Sequence, residues 1–509
     1  MKINQLKAGV LLSYCSFALS MVIQLFYTPV MTRLLGRSDY GLYTLVASVV
    51  SNLGLLTFGT NGCYLRFYFQ EKKKGAEQAV ARLNATFLLI FAGLGLLAVL
   101  TGLALAGNVE SVMGSKLTAA EQEKASLLLT MLAFSMGISI TCSVFDSFVT
   151  AHEQYFFQRL LNVVETIMNP FLALPLMLMG LGSTAVVIAS VTATVSMAAI
   201  NVFFCLRKLK MRFSFQGIQG GMVKAIFGFS FFIFLNQIVD QINWNVDSFL
   251  LGRFWGTLEV AVYGLASRVN NLYLKCAVAI SSVFAPRVNQ IVAQEEQPNG
   301  PLMKLMVRVG RIQALILMLI LLGVILLGKP FMLWMGGEEA YLGAYPVLLL
   351  LLIPVTISLV QDIGVEIQRA KNKHYFRGIM YFLMALINVL LSIPLTRRFG
   401  CVGAAAGTAI ALVIGNVLLM NWYYHCKLGL DMAHFWRQIL SLGKGLAVPA
   451  CYCIVCGKMV NTFSLVSFIL TGGGLVIVYC GSMWLFAMNE DEKNLVRRMF
   501  ARLNIFRKK

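Results

Sequence analysis

Within one apolar stretch, Asn236, Asp240, Asn243 and Asp247 follow one another at spacings of 4, 3 and 4 residues, which on a helix places all four on one face. Gln237, Gln241 and Ser248 fall on the adjacent strip. In the next apolar stretch, Arg268, Asn271 and Lys275 share a face by the same spacing. At about 1.5 Å of rise per residue, Asp240 and Arg268 come to similar depths, so they are expected to face each other or share a water-filled cavity. An ionisable group placed in lipid costs at least about 2.5 kcal/mol, so these residues need a reason to be there. One reason is a buried ion pair that fixes helix register; the other is a polar lining past which a charged solute moves. A single pair leaves most of the seven polar side chains of the first stretch without a role, which favours the lining.

A second set of ionisable residues is related by register. Asp146 lies nine residues before Tyr155, and Glu366 nine before Tyr375. Glu366 has Arg369 one turn later and Asp362 one turn earlier. Such carboxylates are gates or proton sites, or salt bridges to basic loops. Asn162, Glu165 and Asn169 share one face of a stretch that then meets Pro170 and Pro175, which kink a helix and free its carbonyls. Arg66 follows Gly59, Asn61 and Gly62, and Arg33 and Arg37 stand with Asp39 at the opposite end. Arginine forks suit a pyrophosphate, and equally a lipid phosphate reached by snorkelling.

The elements that must hold these residues are helices in a membrane. The 509-residue chain is 58% hydrophobic and 13% charged, against about 25% charged in soluble domains. Its apolar runs exceed 20 residues without strict alternation, which selects a helical bundle over a barrel. About fourteen spans are expected, the first retained rather than cleaved because no small-residue site follows it.

The chain also repeats itself. LLGRSDYGLYTL at 34–45 returns as LLGRFWGTLEVAVYGLAS at 250–267, and the Tyr155 and Tyr375 elements each lead into a proline-containing apolar stretch. The expected organisation is a six-helix bundle over 1–210, a parallel repeat over 211–428, and two extra helices with a basic tail over 429–509. A duplicated hydrophobic half is the mark of a transporter whose halves rock about a site between them.

The net charge of +20 sits mainly in segments such as Lys72 to Lys74, Arg207 to Arg212, Arg369 to Arg377 and Arg497 to Lys509. That pattern is the positive-inside bias of a multi-pass protein with both termini cytoplasmic, and it argues against nucleic acid as a partner. The eleven cysteines lie almost entirely in predicted spans, where thiols behave as small apolar groups, and no metal site is expected. With four histidines, no Walker A sequence and short loops, neither nucleotide hydrolysis by that route nor an outer catalytic domain is expected. No cofactor is expected beyond coupling H+ or Na+.

The stretches TRLLGRSDYGLYTL (32–45), GTNGCYLRFY (59–68) and VDSFLLGRFWGTLEVAVYGLASR (246–268), with the two Tyr-Phe-led elements, give the chain a family likeness. It resembles the polysaccharide transporters of the multidrug/oligosaccharidyl-lipid/polysaccharide (MOP) flippase superfamily, in particular Wzx-type flippases. The resemblance implies a pair of six-helix bundles, no enzymatic activity, and passage of an undecaprenyl-pyrophosphate-linked oligosaccharide from inner to outer leaflet of the cell membrane. Membrane lipids, a polysaccharide polymerase and glycosyltransferases are the implied partners. By position, Arg66, Asp247, Arg268 and Lys275 are the implied cavity or gate residues. Two alternatives stay open: a cation-coupled multidrug antiporter of the same superfamily using Asp146, Asp240, Asp247 and Glu366, and a membrane polymerase or acyltransferase acting on glycolipids.

Overall fold

The computed structural model describes residues 5–57, 60, 63–73, 77–217, 220–295, 297–371, 373, 375–460 and 462–497. Its helices are α1 (Gln5–Leu53), α2 (Tyr64–Lys73), α3 (Glu77–Gly107), α4 (Val109–Met113), α5 (Ala119–Ala151), α6 (Tyr155–Leu178), α7 (Ser183–Arg207), α8 (Gly220–Trp255) and α9 (Thr257–Ser281). There follow α10 (Ala285–Gln294), α11 (Asn299–Gly336), α12 (Ala344–Val360), α13 (Ile363–Ala370), α14 (Tyr375–Leu412), α15 (Met420–Cys426), α16 (Met432–Leu440), α17 (Gly443–Met459) and α18 (Leu465–Phe486). No strand occurs among the described residues, as expected of a chain whose backbone groups must pair within each segment in lipid.

Ten helices among the described residues are long and apolar enough to cross a membrane, or eleven with the pair α16–α17, which bends by 43°. The protein is therefore a multi-pass, all-α membrane protein. Two of the ten, Ser16–Thr57 and Phe376–Cys426, were expected as two spans each. They run on through one glycine instead of a loop: Gly36 (φ 71°) and Gly400 (φ 59°) take backbone angles that a Cβ would oppose, so the chain bends there within a single residue.

The chain forms two compact units. Unit 1 comprises 1–264, 335–337 and 392–404; unit 2 comprises 265–334, 338–391 and 405–509. In unit 1, α3 and α5 approach through small residues. A Cβ on Gly95 would lie 2.6 Å from the Gly137 carbonyl oxygen, and one on Gly102 would lie 2.3 Å from Ala133 Cβ. In lipid, association rests on such close contact because tails are as apolar as leucine. Toward one end of the same pair, Tyr64, Phe87, Phe91 and Phe148 are buried together around Tyr68. In unit 2, Arg311 is the largest fully buried side chain. It bonds both carboxylate oxygens of Glu492 (2.6 and 3.0 Å), the carbonyls of Gln438 and Ala487, and Ser441, which ties α11 to the segment after α18.

The repeat read from the sequence returns as duplicated contacts. Phe157 stacks on Phe204 at 3.7 Å in unit 1, and Phe376 on Tyr423 at 4.0 Å in unit 2. Gly182 (φ 56°, ψ −137°) begins α7, and Gly400 (φ 59°, ψ −136°) begins the second part of α14. At each glycine a carboxylate accepts the next backbone N–H: Asp39 from Ser183 at 3.1 Å, and Glu259 from Cys401 at 3.2 Å. A carboxylate there satisfies one of the free N–H groups of a helix start and complements its dipole.

Candidate functional site

Three helices of unit 1 each present one polar face to a common cavity of about 320 Å3. From α5 come Ser139, Cys142 and Asp146; from α6, Gln158, Asn162 and Glu165; from α7, Thr194, Ala198 and Asn201. Within each helix these positions lie three or four residues apart, which is what brings them to one side. Pro170 and Pro175 lie further along α6.

Asn201 is 4% exposed and donates its side-chain N–H to Asp146 Oδ1 at 2.5 Å. The amide nitrogen faces the carboxylate, while the amide oxygen lies 3.7 Å from the Cys205 sulfur, whose single S–H also reaches the Phe145 carbonyl at 3.5 Å. The lining contains two carboxylates and neither Lys nor Arg. Carboxylate, amide and hydroxyl oxygens around an intramembrane hollow suit a proton or a hard cation, and they suit hydroxyl groups of a passing solute. The structure thus brings together two residues that the sequence placed separately, Asp146 and Glu165, and adds Asn201, which sequence reasoning missed.

The other predicted residues fall elsewhere. Asp247 is 3% exposed on α8 and accepts the Tyr263 hydroxyl of α9 at 2.5 Å, the geometry of a contact that holds register. The side chains of Asn236, Asp240 and Asn243, and Asn61 entirely, lie outside the described residues, and with them the pairing expected of Asp240 and Arg268. Arg66 is exposed, its guanidinium 4.4 Å from the centre of the Phe229 ring. In unit 2, Asn271 and Lys275 are exposed and Arg268 half-buried on one face of α9, while Asn270, Tyr273 and Ala277 are buried. Glu366 is half-buried and pairs with Arg369 at 2.8 Å; Asp362 accepts the Ser281 hydroxyl at 2.5 Å.

At the other end of unit 1, Asp39 takes Lys124 at 2.6 Å as well as the α7 N-terminus. Arg33 lies against Gly337, where a Cβ would come within 2.7 Å of its Cγ, and Arg37 donates to the Leu258 carbonyl at 3.2 Å. Ten described cysteines are free thiols, and no cluster of three metal-binding side chains occurs among the described residues.

A family described as "Polysaccharide biosynthesis protein" matches residues 30–346. The chain is 21% identical to the membrane protein EpsK of Bacillus subtilis over 95% of its own length and 96% of that protein's. It is 20% identical to a protein of Shigella flexneri named as an O-antigen transporter, over 77% and 91% of the two. Its fold is similar to that of the lipid II flippase MurJ in an inward closed conformation, with a TM-score of 0.74 at 17% identity over 94% of this chain and 98% of that one. With a helical membrane fold and a family match over more than half its length, the chain belongs to the polysaccharide biosynthesis protein family.

Proposed function

We propose that this protein is a flippase that carries an undecaprenyl-pyrophosphate-linked oligosaccharide from the inner to the outer leaflet by alternating access, for export of a surface polysaccharide. The observation that carries the reading is the family match over residues 30–346, on a fold whose spans enclose a polar, ionisable cavity. A flippase must pass a hydrophilic head through the membrane while the polyprenyl tail stays in lipid. Arg66, Arg268, Asn271 and Lys275 are the residues we assign to the headgroup; all four are open or half-open in their own units. Asp146 and Glu165 are assigned to coupling, by H+ or Na+, with Glu366, Arg33 and Asp39 as gate residues. The protein resides in the inner (plasma) membrane with both termini cytoplasmic, and works with the polymerase and glycosyltransferases of its polysaccharide.

The test is complementation of a flippase-null strain by the parent, by Arg268→Ala and by Lys275→Ala, measured as surface polysaccharide. Loss in both variants is expected. Full activity in both removes the headgroup assignment, and failure of the parent with its cognate glycan removes the function. A second reading, a cation-coupled antiporter, draws on the absence of any basic residue from the Asp146 cavity lining. Proton- or sodium-driven efflux of small cations by vesicles containing the protein, without glycolipid transfer, would favour it.

A further inference from the structure

Away from Asp146, unit 1 holds a second hollow of about 400 Å3, at the end that the positive-inside bias assigns to the cytoplasm. Its floor is fixed by buried hydrogen bonds. Asn84, 1% exposed, accepts the Tyr64 hydroxyl at 2.6 Å and donates to the Arg212 carbonyl at 3.0 Å. Ser214 N–H bonds the Ala81 carbonyl at 3.0 Å, so the segment after α7 is held onto α3. His152 Nδ1 lies 2.9 Å from the Phe148 carbonyl and therefore donates there, which turns Nε2 toward the Tyr68 hydroxyl at 3.4 Å.

The rim is cationic: Lys72, Lys210 and Arg212, all exposed. The one acid of the lining, Glu77, meets Arg212 at 3.3 Å with both side chains largely in the open, 88% and 75% exposed. An exposed pair of that kind contributes little and yields to a better-placed anion. Among the described residues, the non-glycine residues at positive φ are Glu153 (54°) and Lys210 (53°), which end the two helices that deliver His152 and Lys210 to this hollow. Glycine is the usual residue at such a helix end. Lysine at 210 keeps the strained conformation and an ammonium on the rim.

We propose that this hollow binds a phosphomonoester or pyrophosphate group, with Lys72, Lys210 and Arg212 bonding its oxygens above the Asn84–His152 floor. Three cations converging on one hollow match a multiply charged group with several acceptor oxygens, which ammonium and guanidinium donors hold by short, charge-assisted bonds. The group comes from a lipid headgroup of the adjacent leaflet or from a soluble phosphate compound. The inference rests on the lining of this hollow and not on the transport reaction assigned above.

The test uses the full-length protein in phosphatidylcholine nanodiscs. One arm titrates inorganic pyrophosphate by calorimetry; the other follows retention of phosphatidic acid against phosphatidylcholine by native mass spectrometry. Lys210→Gly removes the ammonium and relieves the left-handed strain, so it folds at least as well as the parent, which thermal unfolding checks. The parent is expected to bind in at least one arm, Lys210→Gly about tenfold more weakly, and Glu77→Gln several-fold more tightly. Binding of pyrophosphate alone identifies a soluble ligand, and of phosphatidic acid alone a headgroup. No binding by the parent in either arm, or equal affinity in Lys210→Gly, overturns the proposal.

Discussion

Asp146 and Glu366 occupy the same place in the two halves of the repeat, nine residues before a tyrosine, yet their surroundings differ. Asp146 meets a neutral amide, Asn201, at 2.5 Å and shares its cavity with Glu165. Glu366 has a cation, Arg369, at 2.8 Å. Near the position equivalent to Asn201 stands Asn421, whose amide donates to the Val417 carbonyl at 2.7 Å and accepts the Trp436 indole N–H at 2.6 Å, so it is spent within its own unit. Near the position equivalent to Glu165 stands the buried Ala385. One carboxylate stands against a cation and the other does not. A duplicated frame fixes where a carboxylate sits, and its neighbours decide whether that carboxylate has a charge left to use.

Four experiments break or sharpen this contrast. The largest effect is expected of Asp146→Asn, which should lower glycan export at least about tenfold in the complementation assay, against less than about twofold for Glu366→Gln. Equal losses would show that the two carboxylates do the same work. Next, Gly182→Ala should cost about 2–3 kcal/mol in thermal unfolding, because its Cβ would come within 2.4 Å of Asp39 Oδ2. Gly400→Ala should cost about 1 kcal/mol less, since its clash with Glu259 Oε2 is at 3.1 Å. Asn201→Leu should slow export about tenfold by leaving Asp146 without its donor, while Asn421→Leu should lower stability by about 1–3 kcal/mol with export per folded molecule unchanged. The smallest effect is shared. Phe204→Leu and Tyr423→Leu each remove a ring stack of about 0.5–1.5 kcal/mol, and similar losses would confirm that the frame, unlike the charge, was kept.

The fold was legible because lipid leaves a chain few options. Apolar runs without strict alternation were enough to select an all-α, multi-pass membrane fold, though not its number of spans. The single-residue bends at Gly36 and Gly400 were not foreseen, since a positive φ at one residue leaves no periodic trace. Part of the site was legible too, as Asp146 stood out by register and Glu165 by its asparagine neighbours. Asn201 did not, because a single asparagine in an apolar helix signals nothing until its partner, 55 residues earlier, is folded against it. Arg311 was overlooked for the same reason: Glu492, which neutralises it, comes 181 residues later, beyond α18.

The knot of Asp39 with Ser183 has a consequence for how the molecule is made. It joins positions 144 residues apart, and the matching knot of Glu259 with Cys401 spans 142. At a translation rate of about 5–20 residues per second, the first helix leaves the ribosome roughly 7–30 s before the residue that ties its end has been synthesised. The glycine-lined seam of α3 and α5 is complete once Gly137 has been made, 46 residues before Ser183, and supports the nascent half for the last part of that interval. Slow codons placed after that seam would lengthen the wait, and faster ones would shorten the time in which an untied helix can slip out of the bilayer.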